Sequence, residues 1–482
     1  MVKDLRSKTI TGLVWKFAER ITAQLTSTLV SIILARLLLP EQYGAVSIVT
    51  VFISLCNVLV VEGLASGLIQ KQDADELDFS TMFFTSIALS AVLYGVLFCF
   101  APFIASFYDM PILCPVLRVM GIRLIISAIN SVQQAYVSRT MQFKRFFWST
   151  LFGTVISGVV GIAMAFKGFG VWALVSQYLT NSIIDTVVLF FTAKWRPHLQ
   201  FSFNRAKKLI PFGMKIAGGS VVNELYKSAR SLIIGKVYSA EQLSYYTKAQ
   251  TYPQLLTTNI NSSINSVLFP AIAKVQDDKK RIVSMLKRSV KTSSFFILPM
   301  MVGFAFVSES FVRILLTEKW LPCVPYMRIF CIGLCFAPLS AANLQSIKAV
   351  GRGDIAFKQE MIKKLVGLVI IFATSAISVY AIAIGAALCE LWFFVVNIWP
   401  CKRLFNYSIR DQLSDMLPNI VCTGIMGCVL LGISLLKMNY IMTFVIQIIL
   451  GVFSYIIICA ITKNDSFCYC VEFVKKSLKG KK

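Results

Sequence analysis

The sequence predicts an all-α polytopic membrane protein, on three observations. Apolar runs of about twenty residues, the length an α-helix needs to cross ~30 Å of hydrocarbon, recur from Gly12 to Ile461 with short polar joints between them. Hydrophobic residues make up 57% of the chain and its mean hydropathy is +0.72, which excludes a soluble domain of 482 residues. Lys and Arg gather in alternate joints. In lipid the backbone must satisfy its own hydrogen bonds, so the runs are expected to be helices.

Fourteen spans follow along the chain, at 12–35, 44–68, 80–107, 115–137, 147–166, 170–193 and 209–235, then 244–270, 292–316, 325–347, 365–379, 381–400, 416–436 and 440–462. The joints separate by charge. One side holds Lys3, Arg6 and Lys8, then Lys71, then Arg139, Lys144 and Arg145, then Lys194 to Lys208. The same side takes the basic runs Lys274–Lys291, Lys348–Lys364 and Lys402–Arg410, and the tail from Lys463. That is 33 basic residues, against 5 on the other side: Arg36, Lys167, Lys236, Lys319 and Lys437. The positive-inside rule then predicts that both termini are cytoplasmic. The second joint is the exception, with Asp73, Asp75, Glu76 and Asp78. Acidic residues weigh little in the rule, so the orientation stands.

In a soluble protein the net charge of +25 would point to nucleic acid; confined to alternate joints it does not, and no nucleic-acid partner is expected. The first apolar run is a full span without a small-residue cleavage pattern, so no cleavable leader is expected. Lys475 to Lys482 reads as a solvated basic anchor facing anionic lipid. Most of the 13 cysteines fall inside spans, where Cys acts as a small apolar residue. With the only His, His198, in a polar joint, neither a metal site nor a cofactor is expected.

The chain also repeats. Arg36, Pro40, Glu41 and Gln42 close the first span, and Lys236, Ala240, Glu241 and Gln242 close the seventh, 200 residues later. Pro115, Arg118, Ile122 and Leu124 open the fourth span; Pro325, Arg328, Ile332 and Leu334 open the tenth, 210 residues later. Six spans repeat as six, in parallel, with two helices left over. The expected organisation is a six-helix bundle over 1–200, a second over 201–410, and two extra helices with a basic tail over 411–482, around a central cavity. Parallel repeats of this kind suit a transporter that rocks about such a cavity.

Several stretches resemble a known family: Ala35–Gly44, Tyr136–Lys144, Gly168–Leu174, Tyr245–Gln250 and, most specifically, Leu268–Asp278. They are similar to the bacterial polysaccharide or O-antigen flippases of the Wzx type, within the multidrug/oligosaccharidyl-lipid/polysaccharide exporter superfamily. The likeness leans toward the branch with colanic-acid and teichuronic-acid exporters and covers about residues 5 to 460. It implies fourteen helices in two bundles and a cavity open to one leaflet at a time. The implied cargo is an undecaprenyl-pyrophosphate-linked oligosaccharide, flipped from the cytoplasmic to the periplasmic leaflet of a bacterial inner membrane. A polysaccharide polymerase and a chain-length regulator are the partners such a cargo implies, besides membrane lipid.

Charged groups inside a bilayer are costly and usually face a cavity, a partner or the headgroups. At ~100° per residue, Lys16, Glu19, Arg20 and Gln24 share one face of the first span. Arg20 and Gln24 are candidates to line the cavity; the competing reading has Lys16 and Arg20 snorkelling to the interface beside Glu19. Arg123, Asn130 and Gln134 form one stripe of the fourth span, and Lys215, Asn223, Lys227 and Arg230 lie on one side of the seventh. Clustered cations suit a phosphate, because Arg and Lys bind it by charge-assisted hydrogen bonds. Glu224 points the other way and could neutralise them. Lys248 and Asn259 align on the eighth span, with helix-to-helix glue as the alternative role. The isolated acids Glu62, Asp185, Glu224 and Glu390 are the candidates for ion coupling, or for ion pairing.

A multidrug exporter of the same superfamily should favour acidic or aromatic pockets, whereas these candidates are net cationic. An enzyme is not expected: no nucleophile or metal constellation and no large loop is present. A non-transporting scaffold is the remaining alternative, against which the doubled bundle argues.

Overall fold

The computed structural model describes the backbone of residues 2–64, 68, 71, 73–193, 195–436 and 438–479, and the side chains of these except 2–14, 17, 62, 473, 474 and 476–479. Among the described residues there are helices and joints and no strand. The helices are α1 Val2–Leu37, α2 Pro40–Asn57, α3 Glu76–Phe107, α4 Leu113–Arg139, α5 Lys144–Phe166, α6 Val171–Thr192, α7 Phe203–Val237 and α8 Ala240–Ala273. They continue as α9 Lys279–Leu315, α10 Val324–Leu334, α11 Ala337–Ala349, α12 Gly353–Ser375, α13 Val379–Phe405, α14 Ile409–Leu435, α15 Tyr440–Ile461 and α16 Asp465–Lys479. Among the described residues 10 helical segments are long and apolar enough to cross a membrane: α2 to α6, α9, the segment Glu318–Ala349, and α13 to α15. The chain is a multi-pass, all-helical membrane protein.

Several helices run well past the apolar runs. Hydropathy marks the hydrocarbon, not the helix end. Thus α9 begins at Lys279 rather than 292, and α12 at Gly353 rather than 365. Their extra turns are basic and lie at the end of the bundle that carries the basic joints. The first joint is shorter than expected because Pro40 opens α2, where its missing N–H and fixed φ cost nothing. The Gln42 side chain then accepts from the Leu39 amide at 3.1 Å. The tenth span is broken instead of continuous. A 3₁₀ turn, Glu318–Cys323, leads into α10, and Pro338 at the start of α11 cannot extend the preceding ladder. A sixteenth helix, α16, occupies part of the basic tail. Its start is fixed by Asn464, whose side-chain oxygen accepts from the Ser466 and Phe467 amides at 2.9 and 3.3 Å, while its amide donates to Asn419 at 2.9 Å.

The acidic joint that broke the charge pattern has a structural reason. Asp75 and Asp78 form a reciprocal cap at the start of α3, each accepting the other's backbone amide at 2.9 and 3.1 Å. Lys71 lies 2.5 Å from Asp78, and Arg205 lies 2.5 Å from Asp75 and 3.0 Å from Asp78. The acids therefore neutralise basic residues of their own side. The hydrogen bond from Arg205 is the main reason that Asp75 is lowered from 3.8 to about 2. A lowered carboxylate stabilises the fold fully above its ordinary value and loses that contribution as the pH falls toward about 2. At neutral pH, Arg205→Ala should speed tryptic cleavage after Lys71 by no more than about fivefold, the small effect expected of a solvent-exposed pair. Unchanged cleavage would mean the clasp does not hold the joint.

The chain forms two compact units, Met1–Ser244 and Tyr245–Lys482. The division falls in the first turns of α8, whereas the repeat had put the expected boundary at residue 201. In the first unit, Leu64, Leu68, Phe79, Met82, Phe83, Val132, Ala135 and Trp195 pack together. In the same unit α7 lies along α2. A Cβ on Gly213 of α7 would sit 1.7 Å from the carbonyl oxygen of Gly63, in the helical extension after α2, and one on Gly44 of α2 would sit 1.8 Å from that of Ala240 at the start of α8. Small residues let helix backbones meet where lipid supplies no hydrophobic drive. In the second unit, α9 carries a core with Leu339, Ile347, Phe394 and Met416 and another with Met426, Leu430 and Tyr455.

Candidate functional site

The polar residues of the first unit converge on α6. Tyr178, Ser182 and Asp185 lie on one face of it by helical spacing, opposite α4 and α5. Asp185 accepts from the Asn130 amide at 2.6 Å and from the Ser149 hydroxyl at 2.5 Å. Both donors are neutral. One turn away, Arg123 donates through Nε to the Ser182 hydroxyl at 2.9 Å, and its guanidinium lies 5.5 Å from the Tyr178 ring. Gly153 on α5 permits this closeness, because a Cβ there would stand 3.3 Å from the Asn181 carbonyl oxygen.

On α1, Glu19 accepts from the Thr150 hydroxyl at 3.3 Å. Its second oxygen is buried with no hydrogen-bond partner. Thr150 follows Ser149, the donor to Asp185, so both carboxylates meet the same turn of α5. The site therefore brings two carboxylates of different helices into one hydroxyl- and amide-lined cluster, a setting able to take up a cation. The competing reading paired Glu19 with Lys16 and Arg20; the hydrogen bond that Glu19 accepts comes from Thr150. Lys16 lies 5.5 and 5.7 Å from the rings of Phe143 and Phe146. Arg20 is exposed, and Gln24 donates within its own helix to Thr28 at 3.3 Å.

The structure thus joins Arg123 and Asn130, one stripe in the sequence, to Asp185, which the sequence had offered separately. Gln134 is half-buried beside them. Ser149, Thr150, Tyr178 and Ser182 were missed; the spacing of Ser182 and Asp185 at i, i+3 was the available signal. The α7 group has a different setting. Lys215 and Lys227 are exposed, Asn223 and Glu224 half-buried, and Arg230 lies 5.8 Å from the Tyr226 ring.

In the second unit, α8 separates its two candidates. Lys248 is only 8% exposed, its amine 5.6 Å from the Trp320 ring of the 3₁₀ turn, while Asn259 is exposed. Glu390 is half-buried, and the side chain of Glu62 lies outside the described residues.

This architecture is similar to solved transporters. It matches a structure described as lipid II flippase MurJ, inward closed conformation, with a TM-score of 0.75 and 17% identity, over 95% of this chain and 99% of that one. It also matches an inward-facing multidrug resistance MATE family transporter of the MOP superfamily, with a TM-score of 0.64 and 16% identity, over 79% and 94%. In sequence the chain is 25% identical to the teichuronic acid biosynthesis protein TuaB of Bacillus subtilis over 77% of this chain and 78% of that protein. It is 22% identical to the lipopolysaccharide biosynthesis protein WzxC of Escherichia coli over 89% of each. A family model described as polysaccharide biosynthesis protein matches residues 33–325. With more than half its length covered by that match, the chain belongs to the polysaccharide biosynthesis protein family.

Proposed function

We propose that this protein flips an undecaprenyl-pyrophosphate-linked oligosaccharide repeat unit from the cytoplasmic to the periplasmic leaflet for surface-polysaccharide synthesis. The observation that carries the reading is the group of cations on α7. Lys215, Lys227 and Arg230 sit exposed or half-buried on a helix of a multi-pass bundle, where a pyrophosphate could meet them by charge-assisted hydrogen bonds. Sequence similarity to polysaccharide biosynthesis proteins and a fold shared with a lipid II flippase support it. In this reading fourteen helices cross a bacterial cytoplasmic membrane, both termini are cytoplasmic, and alternating access moves the cargo. Glu19 and Asp185 couple the cycle to a proton or sodium ion. A polymerase and a chain-length regulator receive the product.

Cells producing the polysaccharide but lacking this protein should accumulate the lipid-linked repeat unit on the cytoplasmic face, out of reach of an impermeant lectin applied to spheroplasts. Normal outward appearance of the repeat unit would remove the proposal. Lys227→Ala with Arg230→Ala should cut surface polysaccharide about tenfold or more, since each charge-assisted bond is worth ~1.5–3 kcal/mol. Protein level in the membrane should stay normal. Loss of the protein itself would favour a structural role for the pair.

A further inference from the structure

The second unit holds a polar cleft that the flipping reading does not use. It opens between the ends of α9, α14 and α15 remote from the basic joints, with a volume of about 560 Å³, within the ~300–1,000 Å³ of small-molecule sites. Glu309, Arg313, Arg328, Thr443 and Gln447 line it. Arg313 lies 3.2 Å from Glu309 and 3.1 Å from Glu318, and Arg328 lies 3.5 Å from Glu309. The two guanidiniums are thus matched by two carboxylates, so the cleft is close to neutral yet offers both signs of charge. All three lining charges remain reachable: the side chains of Arg313, Arg328 and Glu309 are 32%, 49% and 48% exposed.

Gln447 supplies the second observation. It is 2% exposed and lines the cleft. Its amide nitrogen donates to the Ser434 hydroxyl at 2.9 Å, but its oxygen is buried with no partner. Buried acceptors are normally satisfied, so an occupant should bring a donor. Gln447 lies seven residues inside α15 and Glu309 six from the end of α9, about 10 Å deep at 1.5 Å per residue. Beside the mouth, Leu435, Leu436, Ile441, Met442 and Val445 are exposed, an apolar surface on which acyl chains can lie.

We propose that this cleft binds the zwitterionic headgroup of an ethanolamine phospholipid. The phosphate accepts from Arg313 and Arg328, and the ammonium donates to Glu309 and to the Gln447 oxygen. A phosphatidylglycerol headgroup can donate hydroxyls to the Gln447 oxygen but brings no cation to Glu309. A choline headgroup carries the same charges but no N–H to donate. The inference is independent of the cargo, so its failure and that of the flippase reading are separate results.

The test is native mass spectrometry of the delipidated full-length protein with equimolar phosphatidylethanolamine, phosphatidylcholine and phosphatidylglycerol of identical acyl chains. Phosphatidylethanolamine should be retained about tenfold better than either other lipid, the scale of one or two charge-assisted hydrogen bonds. Glu309→Gln should erase that preference, and Thr443→Trp, which fills the cleft, should do the same while circular dichroism and elution remain those of the parent. Equal retention of the ethanolamine and choline lipids would overturn the proposal. So would a preference that survives both variants, or displacement of the lipid by a neutral oligosaccharide, which would make the cleft a saccharide site.

Discussion

Asp185→Asn is expected to stop export while leaving the protein in the membrane, and Asp185→Ala to stop export and also lower the amount of folded protein. The difference follows from the two hydrogen bonds at Asp185. Asn130 on α4 and Ser149 on α5 both donate to it, so the carboxylate ties three helices. Removing it leaves a buried amide and a buried hydroxyl without their acceptor, at ~1–3 kcal/mol each, which is a large share of a stability of ~5–15 kcal/mol. An asparagine keeps one acceptor oxygen and the shape, but not the charge. If the carboxylate takes up a cation during the cycle, losing the charge alone is enough to arrest it. Surface polysaccharide and membrane protein level, measured together for both variants, decide the matter. Full export by Asp185→Asn would sink the ion-coupling role and leave Asp185 as a tie between helices.

The second large effect is expected at Gly213. A Cβ there would meet the Gly63 carbonyl oxygen at 1.7 Å, so no side chain fits while α7 and the segment after α2 stay in contact. Gly213→Leu should wedge these helices apart at the end that carries the basic joints. Overpacking of this kind costs ~1–3 kcal/mol or more, enough to shift a two-state transporter by about tenfold or more. Two readouts should move together. Export should fall about tenfold or more, and a cysteine at Ala217, fully buried in the parent, should become reactive to maleimide. Gly218→Leu is the control, since a Cβ there meets nothing within 4 Å, and it should leave both unchanged. Full export by Gly213→Leu with Ala217→Cys still protected would show that the contact opens and closes without consequence.

The candidate site was legible only in fragments. Arg123 and Asn130 could be placed on one stripe because helical spacing is local. Asp185 could be flagged because a carboxylate inside an apolar run is costly. That these residues meet through α6, with Ser149 and Ser182 as partners, depends on which helices are neighbours, and spacing along one helix carries no such information. Ser and Thr gave no warning either, being common in membrane helices as donors to their own backbone, as Thr186 is to the Ser182 carbonyl at 2.7 Å. Lys248 and Asn259 fall on the same face by arithmetic, yet one is covered by Trp320 and the other is exposed, because the 3₁₀ turn shields only one end of α8.

What the sequence by itself determined is the material of the fold: an all-helical, multi-pass chain, ten of whose described helical segments are long and apolar enough to cross a membrane. The reason is that lipid offers the backbone no partner, so composition alone imposes helix there. Where that constraint lapsed, the tertiary structure decided. It extended α9 and α12 beyond the hydrocarbon, broke the tenth span at Pro338, and made the acidic second joint a clasp on Lys71 and Arg205. It also paired Asp185 with Asn130 and Ser149, and packed α7 against the segment after α2 through Gly213 and Gly63. Each of these is set by a contact between residues far apart in the chain, and the partner of a buried polar or small residue is fixed by packing rather than by hydropathy.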